Sequence, residues 1–326
     1  MQDAFGRETE DLRVSLTQRC NLTCVFCHME GQPPSNLELS PEEIERCVIA
    51  SKAVGVRRVK LTGGEPTLRS DIVEIVRRIS PHVEELSMTT NGIRLAPIAS
   101  TLKEAGLQRV NISLPSALPE TYRSLTGAPS LPRVIEGIRA AWKAGLHPLK
   151  LNVVVLAGIT EQEEEVRAIQ AIAEEVGATI QFIEFENVRG RVDLQTFESL
   201  HAELAGIDRE AARRAVRVEE NPLHHRPRYT VPVGDHPLVY EIVRPVNNPE
   251  FCAGCFRIRL TSYGALKGCL MTNDGLVEML PALRRGASPE ELIPSFEAVV
   301  RNRKPFFRTD GTLAGPLSLP MAGQKA

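Results

Sequence analysis

The chain has 326 residues, with 39 Lys and Arg against 41 Asp and Glu for a formal net charge of −2. That balance supplies no global positive field to recruit nucleic acid, and no stretch reaches the roughly 18 to 20 continuous apolar residues of a membrane span, so neither is an expected partner. The opening residues, Met1-Gln2-Asp3-Ala4, lack the basic and apolar regions of a secretory leader, which points to the cytoplasm. The length admits one large barrel-type domain with an extension, or two ordinary domains. In a reducing compartment the seven cysteines suit metal ligation better than disulfides.

In chain order, β-rich runs at 12–16, 56–61, 85–89, 109–114, 150–156 and 179–185 alternate with amphipathic stretches at 41–54, 71–79, 95–105, 132–144 and 161–176. After the first run come Cys20, Cys24 and Cys27, spaced C-x3-C-x2-C, with Phe26 between the last two. Three thiolates and no fourth fall short of a closed zinc site and of a four-cysteine [4Fe-4S] cluster. They leave one iron open, unless they are a chance group of thiols in a redox or zinc site. Ser40, Pro41 and Glu43 mark a helix start. Cys47 in that helix reads as a small buried hydrophobe.

The second run leads into Gly63-Gly64-Glu65-Pro66, where two glycines let the backbone approach a ligand and the carboxylate can accept from an ammonium group. Thr89-Thr90-Asn91-Gly92 follows the third run, Ser113 ends the fourth, Lys150 opens the fifth, and Glu184 and Glu186 close the sixth. Gly106 and Gly145 stand where helices stop. Such alternation with short links predicts a parallel sheet with right-handed crossovers. The fold class is therefore α/β, a partial (β/α)6 TIM-type barrel, and its polar oddities gather at the carboxyl ends of the strands, where such barrels place their sites.

Beyond about residue 190 the pattern changes, and we divide the chain into a core of 1–215 and a C-terminal extension of 216–326 that covers the barrel mouth. A polar, proline-containing stretch at 221–237 precedes Cys252, Cys255 and Cys269. A hairpin of 257–262 and 265–270 turns at Tyr263-Gly264. This second triad is either half of a zinc ribbon, with His224 and His225 the histidines near enough in sequence to complete it, or a second cluster with an open iron. In a strand Arg257 and Arg259 share a face, which suits a phosphorylated ligand unless both are merely solvated.

The first cysteine motif, with Gly63-Gly64-Glu65 behind it, resembles the signature of the radical S-adenosylmethionine (SAM) superfamily. The two triads, Cys255-Phe256-Arg257-Ile258-Arg259, the run 11–20, Leu61–Pro66 and Thr89–Gly92 together resemble the GTP 3′,8-cyclase family of molybdenum cofactor biosynthesis over 11–307. That resemblance implies two [4Fe-4S] clusters, on Cys20, Cys24 and Cys27 and on Cys252, Cys255 and Cys269, with SAM on the first and the purine of GTP on the second. A 5′-deoxyadenosyl radical would take the ribose 3′ hydrogen, and C3′ would attack guanine C8 to give 3′,8-cyclo-7,8-dihydro-GTP. Phe26, Gly63, Gly64, Glu65, Ser113 and Glu186 would contact SAM, although Phe26 equally suits shielding the cluster and Ser113 equally suits burial. Arg13, Lys60, Thr89, Lys150, Arg257 and Arg259 would hold GTP, the two C-terminal arginines also serving catalysis. The family further implies a flavodoxin- or ferredoxin-type reductant, a downstream cyclic pyranopterin monophosphate synthase, and a monomer or homodimer.

The chain departs from the bacterial pattern. Its tail has Gly323 but no glycine pair; Gln181 stands where an arginine is common; Pro115, Phe256 and Lys60 replace an acid, an asparagine and an arginine. Cys27–Gly31 and Asn302–Phe307 look like the archaeal-type branch. A two-cluster radical SAM paralogue acting on another nucleotide or a peptide is the second reading. An iron–sulfur or zinc interaction protein is the third, and it would leave Gly63-Gly64-Glu65 without purpose.

Overall fold

The computed structural model describes residues 1–186, 194–234, 236–308 and 311, with only the helical backbone described for 194–203. The departure noted at Gly323 lies outside the described residues. The alternation runs β1 (Asp11–Ser15), α1 (Pro41–Ser51), β2 (Arg58–Thr62), α2 (Ile72–Ile79), β3 (Glu85–Thr90), α3 (Ala99–Glu104) and β4 (Arg109–Ser113). Helices α4 (Pro119–Thr126) and α5 (Leu131–Lys143) then precede β5 (Lys150–Val155), α6 (Glu163–Val176), β6 (Thr179–Glu184) and α7 (Leu194–Arg214). The remainder comprises β7 (Arg217–Asn221), β8 (Arg226–Val233), β9 (His236–Val243), α8 (Pro249–Ala253), β10 (Arg257–Leu260), β11 (Ala265–Lys267), β12 (Val277–Glu278), α9 (Leu280–Arg284) and α10 (Pro289–Asn302).

The local chemistry explains the boundaries. At α1 a capping box closes, Ser40 Oγ accepting from the Glu43 amide at 3.2 Å and Glu43 accepting from the Ser40 amide at 2.8 Å. Cys47 on the inner face of that helix is fully buried, and burial raises its thiol. Gly106 and Gly145 follow α3 and α5 with left-handed φ of 110° and 74°.

Six parallel strands run in sequence order from β1 to β6, and the chain adds to both sides of them. β10 pairs parallel with β1, and β9 pairs parallel with β6. Among the described residues the sheet thus has twelve strands and stays open, in the order β12-β11-β10-β1-β2-β3-β4-β5-β6-β9-β8-β7. The hairpin forms as β10 and β11, with shorter strands than the sequence suggests. The polar, proline-containing stretch at 221–237 is mostly strand β8 with the start of β9. Proline is disfavoured in a central strand, and here Pro227 faces exposed β7 while Pro232 meets Pro237 beside the hairpin turn. Among the described residues no helix is long and apolar enough to cross a membrane.

A buried charge cluster joins the two ends of the chain. Asp3 accepts from Arg7 Nε and from Arg303 Nε, each at 2.8 Å. Arg303 also reaches the carbonyls of Arg7 and Glu8 at 2.7 and 2.8 Å, and Arg7 reaches that of Cys252 at 3.1 Å. Burial raises the Asp3 carboxyl, but the two guanidiniums and backbone donors outweigh it and hold it below the usual range. Removing one partner of such a cluster strands buried charge. Asp3→Ala is therefore expected to cost about 3–5 kcal/mol, read as a lower urea midpoint. Glu163→Ala, which breaks an exposed pair with Arg167 on α6, is expected to leave the midpoint in place. An unshifted midpoint for Asp3→Ala would show the clamp to be dispensable.

Candidate active site

The loop carrying Cys20, Cys24 and Cys27 leaves the carboxyl end of β1 and is seated on two neighbours. Amides of Thr23 and Val25 donate to the carbonyls of Thr126 and Leu125 at the end of α4, each at 3.0 Å. The amides of Gly64 and Glu65 donate to the carbonyls of Thr17 and Arg19 at 2.7 and 2.8 Å. The fit requires glycine: a Cβ on Gly63 would lie 2.4 Å from the Thr17 carbonyl oxygen, and one on Gly64 would lie 2.2 Å from that of Arg19. Glu65 is buried, and its carboxylate accepts from the Thr67 amide, Thr67 Oγ1, Thr90 Oγ1 and the Asn91 amide at 2.5–3.0 Å. Its side chain is a strut between this loop and the end of β3, while the backbone of Gly63 and Gly64 packs on that of Thr17 to Arg19. Burial pushes the carboxyl of Glu65 up.

Behind this loop opens a cavity of about 570 Å³ lined by both cysteine triads and by every other residue singled out above for SAM or GTP. Strand register assembles its wall. Arg13 sits beside Lys60 on one side and Arg259 on the other, while Arg257 lies beside Asp11. Thr89, Asn111 and Lys150 form the next rank. Arg109 and Arg226 also line the cavity. The sequence reading missed both, because nothing local marks a strand-opening arginine as inward-facing.

Two buried carboxylates hold these cations, and neither was picked out from sequence. Glu30 binds Arg259 at 2.6 Å and Arg13 at 3.6 Å, and accepts from Thr62 Oγ1 at 3.0 Å. Its backbone is left-handed, with φ of 52°, and its amide donates to His28 Nδ1 at 3.0 Å. Glu241 on β9 takes Lys150 at 2.6 Å, Arg226 at 2.9 Å and Gln181 Nε2 at 2.7 Å. Burial raises both carboxyls, but the facing cations win and bring each to about 2. Lys150 moves down to about 8 through burial, which its Glu241 partner only partly offsets. Lys60 is held well below its usual value by burial and then by Arg109 and Arg13. Its contact to Asn111 Oδ1 is long, 3.4 Å.

Several polar atoms in this wall are buried without a partner: Arg13 Nε, Thr89 Oγ1 and Glu186 Oε2. Gln181, at a position where the family often has arginine, is tied to Glu241, and Arg226 brings a guanidinium to the same carboxylate. Phe256 lies under the Arg58 guanidinium at 5.2 Å, and its carbonyl accepts from the amides of Glu10 and Asp11.

The second triad sits at the other end of the strands. Cys252 and Cys255 precede β10, which runs parallel to β1, so they lie at the amino end of that pair while the first triad lies beyond its carboxyl end. The arginines stand between. Burial pushes the Cys252 thiol up to about 11, partly offset by the Phe307 amide. None of the seven cysteines forms a disulfide. Among the described residues no group of three or more His, Cys, Asp or Glu closes to the distance of a shared single ion. His225 pairs with Glu220 at 2.9 Å, and His224 stacks on Phe251, which disfavours the zinc ribbon. Two thiol triads, one with a backbone cradle that admits only glycine, fit two open-iron clusters and one amino acid-bearing ligand.

Known proteins bear on this arrangement. The sequence profile described as the radical SAM superfamily matches residues 14–168, and that described as Molybdenum Cofactor Synthesis C matches 178–309. A probable GTP 3′,8-cyclase of Thermococcus kodakarensis is 44% identical over 309 residues, covering 94% of this chain and 100% of the relative. One of Methanosarcina mazei is 41% identical over 313 residues, covering 94% and 89%. Among solved structures, anSMEcpe with bound AdoMet superposes with a TM-score of 0.60 at 15% identity, covering 93% of this chain and 92% of that one. Streptococcus suis SuiB bound to its precursor peptide SuiA gives 0.60 at 16%, covering 81% and 60%. At those identities the two structures share the fold. The full-length likeness at over 40% identity carries more, and places this chain in the GTP 3′,8-cyclase family of the radical SAM superfamily.

Proposed function

We propose that this protein converts GTP to 3′,8-cyclo-7,8-dihydro-GTP, the first step of molybdenum cofactor biosynthesis. The observation that carries the reading is the cation wall, from Arg13 to Lys150, buried in one cavity between two open thiol triads. A triphosphate bears roughly four negative charges, and a chain of net charge −2 must concentrate its cations to meet it. Arg257 and Arg259 project from one face of β10, and Arg13, Lys60 and Lys150 continue the wall across the sheet. Thr89 offers an unpartnered hydroxyl beside them. In this reading these residues bind and orient GTP. The backbone of Gly63 and Gly64, with Ser113, Phe26 and Glu186, receives SAM.

Cys20, Cys24 and Cys27 would hold the cluster that, with SAM, would supply radical chemistry at the ribose C3′–H bond, and Cys252, Cys255 and Cys269 would hold the cluster on the purine side. The protein's own contribution is to position GTP between the two ends and to keep water from a reactive centre. A reductant of flavodoxin or ferredoxin type and a downstream pterin-forming synthase belong to the same reading. Within the second reading, a peptide substrate would have little use for so many inward cations.

Cys20→Ala is expected to abolish SAM cleavage. Cys252→Ala is expected to retain uncoupled 5′-deoxyadenosine release while losing the product isomeric with GTP. Mass spectrometry of anaerobic reactions with SAM, dithionite and GTP reads both. A wild-type protein that releases deoxyadenosine yet leaves GTP unchanged would turn the assignment to another substrate.

The wall also predicts proton uptake. A bound polyanion favours charged lysine, so the pKa of Lys150 rises from about 8 on binding. Affinity is then greatest below that value and falls as pH rises through it, by up to about tenfold per unit for one lysine. Burial and the neighbouring Arg109 and Arg13 also hold Lys60 well below its ordinary value, so a bound polyanion favours its charged form as well. Titration calorimetry of GTP binding without SAM, in buffers of different ionisation enthalpy, should show uptake at pH 7 that grows by pH 9. Binding with no proton uptake at pH 9 would separate the lysines from the phosphates.

A further inference from the structure

His224 is buried, with 7% of its surface exposed, yet lines the cavity. Its ring stacks on Phe251 with centroids 3.8 Å apart and planes 29° apart. Its Nδ1 has no hydrogen-bond partner. An unpaired ring nitrogen in a buried site is costly unless something else meets it.

The backbone there is also unusual. His224 and His225 are consecutive non-glycine residues with left-handed φ of 65° and 49°. Such strain persists where the surroundings over-determine it, and it clusters at functional sites. Here the His224 amide donates to the Gly254 carbonyl at 2.9 Å. Asn221 Oδ1 and Arg226 Nε secure Leu223 at 3.0 and 2.9 Å. A Cβ on Gly254 would lie 2.5 Å from His225 Cδ2, so the turn presses directly on the loop between Cys252 and Cys255. The fold thus fixes this imidazole at the end of the cavity where the second triad lies.

We propose, resting on the GTP reading above, that His224 contacts the nucleobase, its Nδ1 hydrogen-bonding an edge of the guanine while Phe251 fixes the plane of the imidazole. Burial, and then Arg257, Arg226, Arg259 and Arg13, hold the ring well below its ordinary protonation range. A neutral imidazole adds little for a phosphate already surrounded by guanidiniums. It does match a purine edge, which presents both donors and acceptors.

The test compares GTP with inorganic tripolyphosphate, by equilibrium binding to protein carrying both clusters and no SAM. His224→Phe keeps an aromatic ring and removes the nitrogens. His224→Asn keeps a polar group in a residue that tolerates left-handed backbone. Iron and sulfide content per chain certifies each variant; if His224→Phe loses a cluster, His224→Asn against the wild type decides. The expected result is a Kd for GTP raised about tenfold by His224→Phe and less by His224→Asn, with tripolyphosphate affinity held within about twofold of wild type. Unchanged GTP affinity in a fully loaded His224→Phe protein overturns the inference alone, as does an equal loss for both ligands, which makes the residue part of the scaffold. A wild type that binds GTP no better than tripolyphosphate overturns the inference together with the GTP reading.

Discussion

Burying a wall of like charge is the constraint on which this structure turns. Arg13, Lys60, Lys150, Arg226, Arg257 and Arg259 line one cavity, and bare cations in so enclosed a place would repel one another and lose their hydration. Glu30 and Glu241 answer this from opposite sides, each fully engaged with two or more cations. Neutralisation is incomplete, as the low-lying Lys60 shows. The remaining imbalance is what a polyanionic ligand relieves, so the same electrostatics that strain the free protein favour the complex.

The two ends of the cavity are built by different means. At the first triad the constraint is steric: backbone packs on backbone where Gly63 and Gly64 meet the loop from Thr17 to Arg19, and the Glu65 strut locks the arrangement to β3. At the second triad the constraint is topological. β10 is drawn in beside β1, and Arg303, Asp3 and Arg7 tie the cysteine loop to the chain's first residues. Parallel pairing of β10 with β1 then sets the triads at opposite ends with the arginines between them.

Local features were legible in the sequence, and register was not. The six core strands, the capping box at Ser40, both cysteine triads and the double glycine are written in short runs, each with its own spacing or turn chemistry. Helix α4 was passed over although Tyr122, Leu125 and Thr126 are buried at helical spacing, because its eight residues span only about two turns. β8 lies in a stretch that read from the sequence only as polar and proline-containing. Arg109, Arg226, Glu30 and Glu241 were invisible for a different reason. Each becomes a site residue only when a strand pairing or a left-handed turn aims it inward, and no local signal encodes which distant strand will lie alongside. Arg226 and Glu241 also show why Gln181 need not leave a gap in the wall: the guanidinium comes from a strand added at the far side of the sheet.

The pairing of β1 with β10 has a consequence for biosynthesis. The strand bearing Arg13 is made long before its β10 neighbour, and β2 follows it closely. Its other neighbour, residues 257–260, does not exist until most of the chain has been made. Throughout that interval β1 presents an open edge, and the two triads cannot be held in their mutual positions. Contacts so distant in sequence form late. The emerging chain therefore has one half-site waiting for the other, and the cavity wall is complete only once β10 has been made.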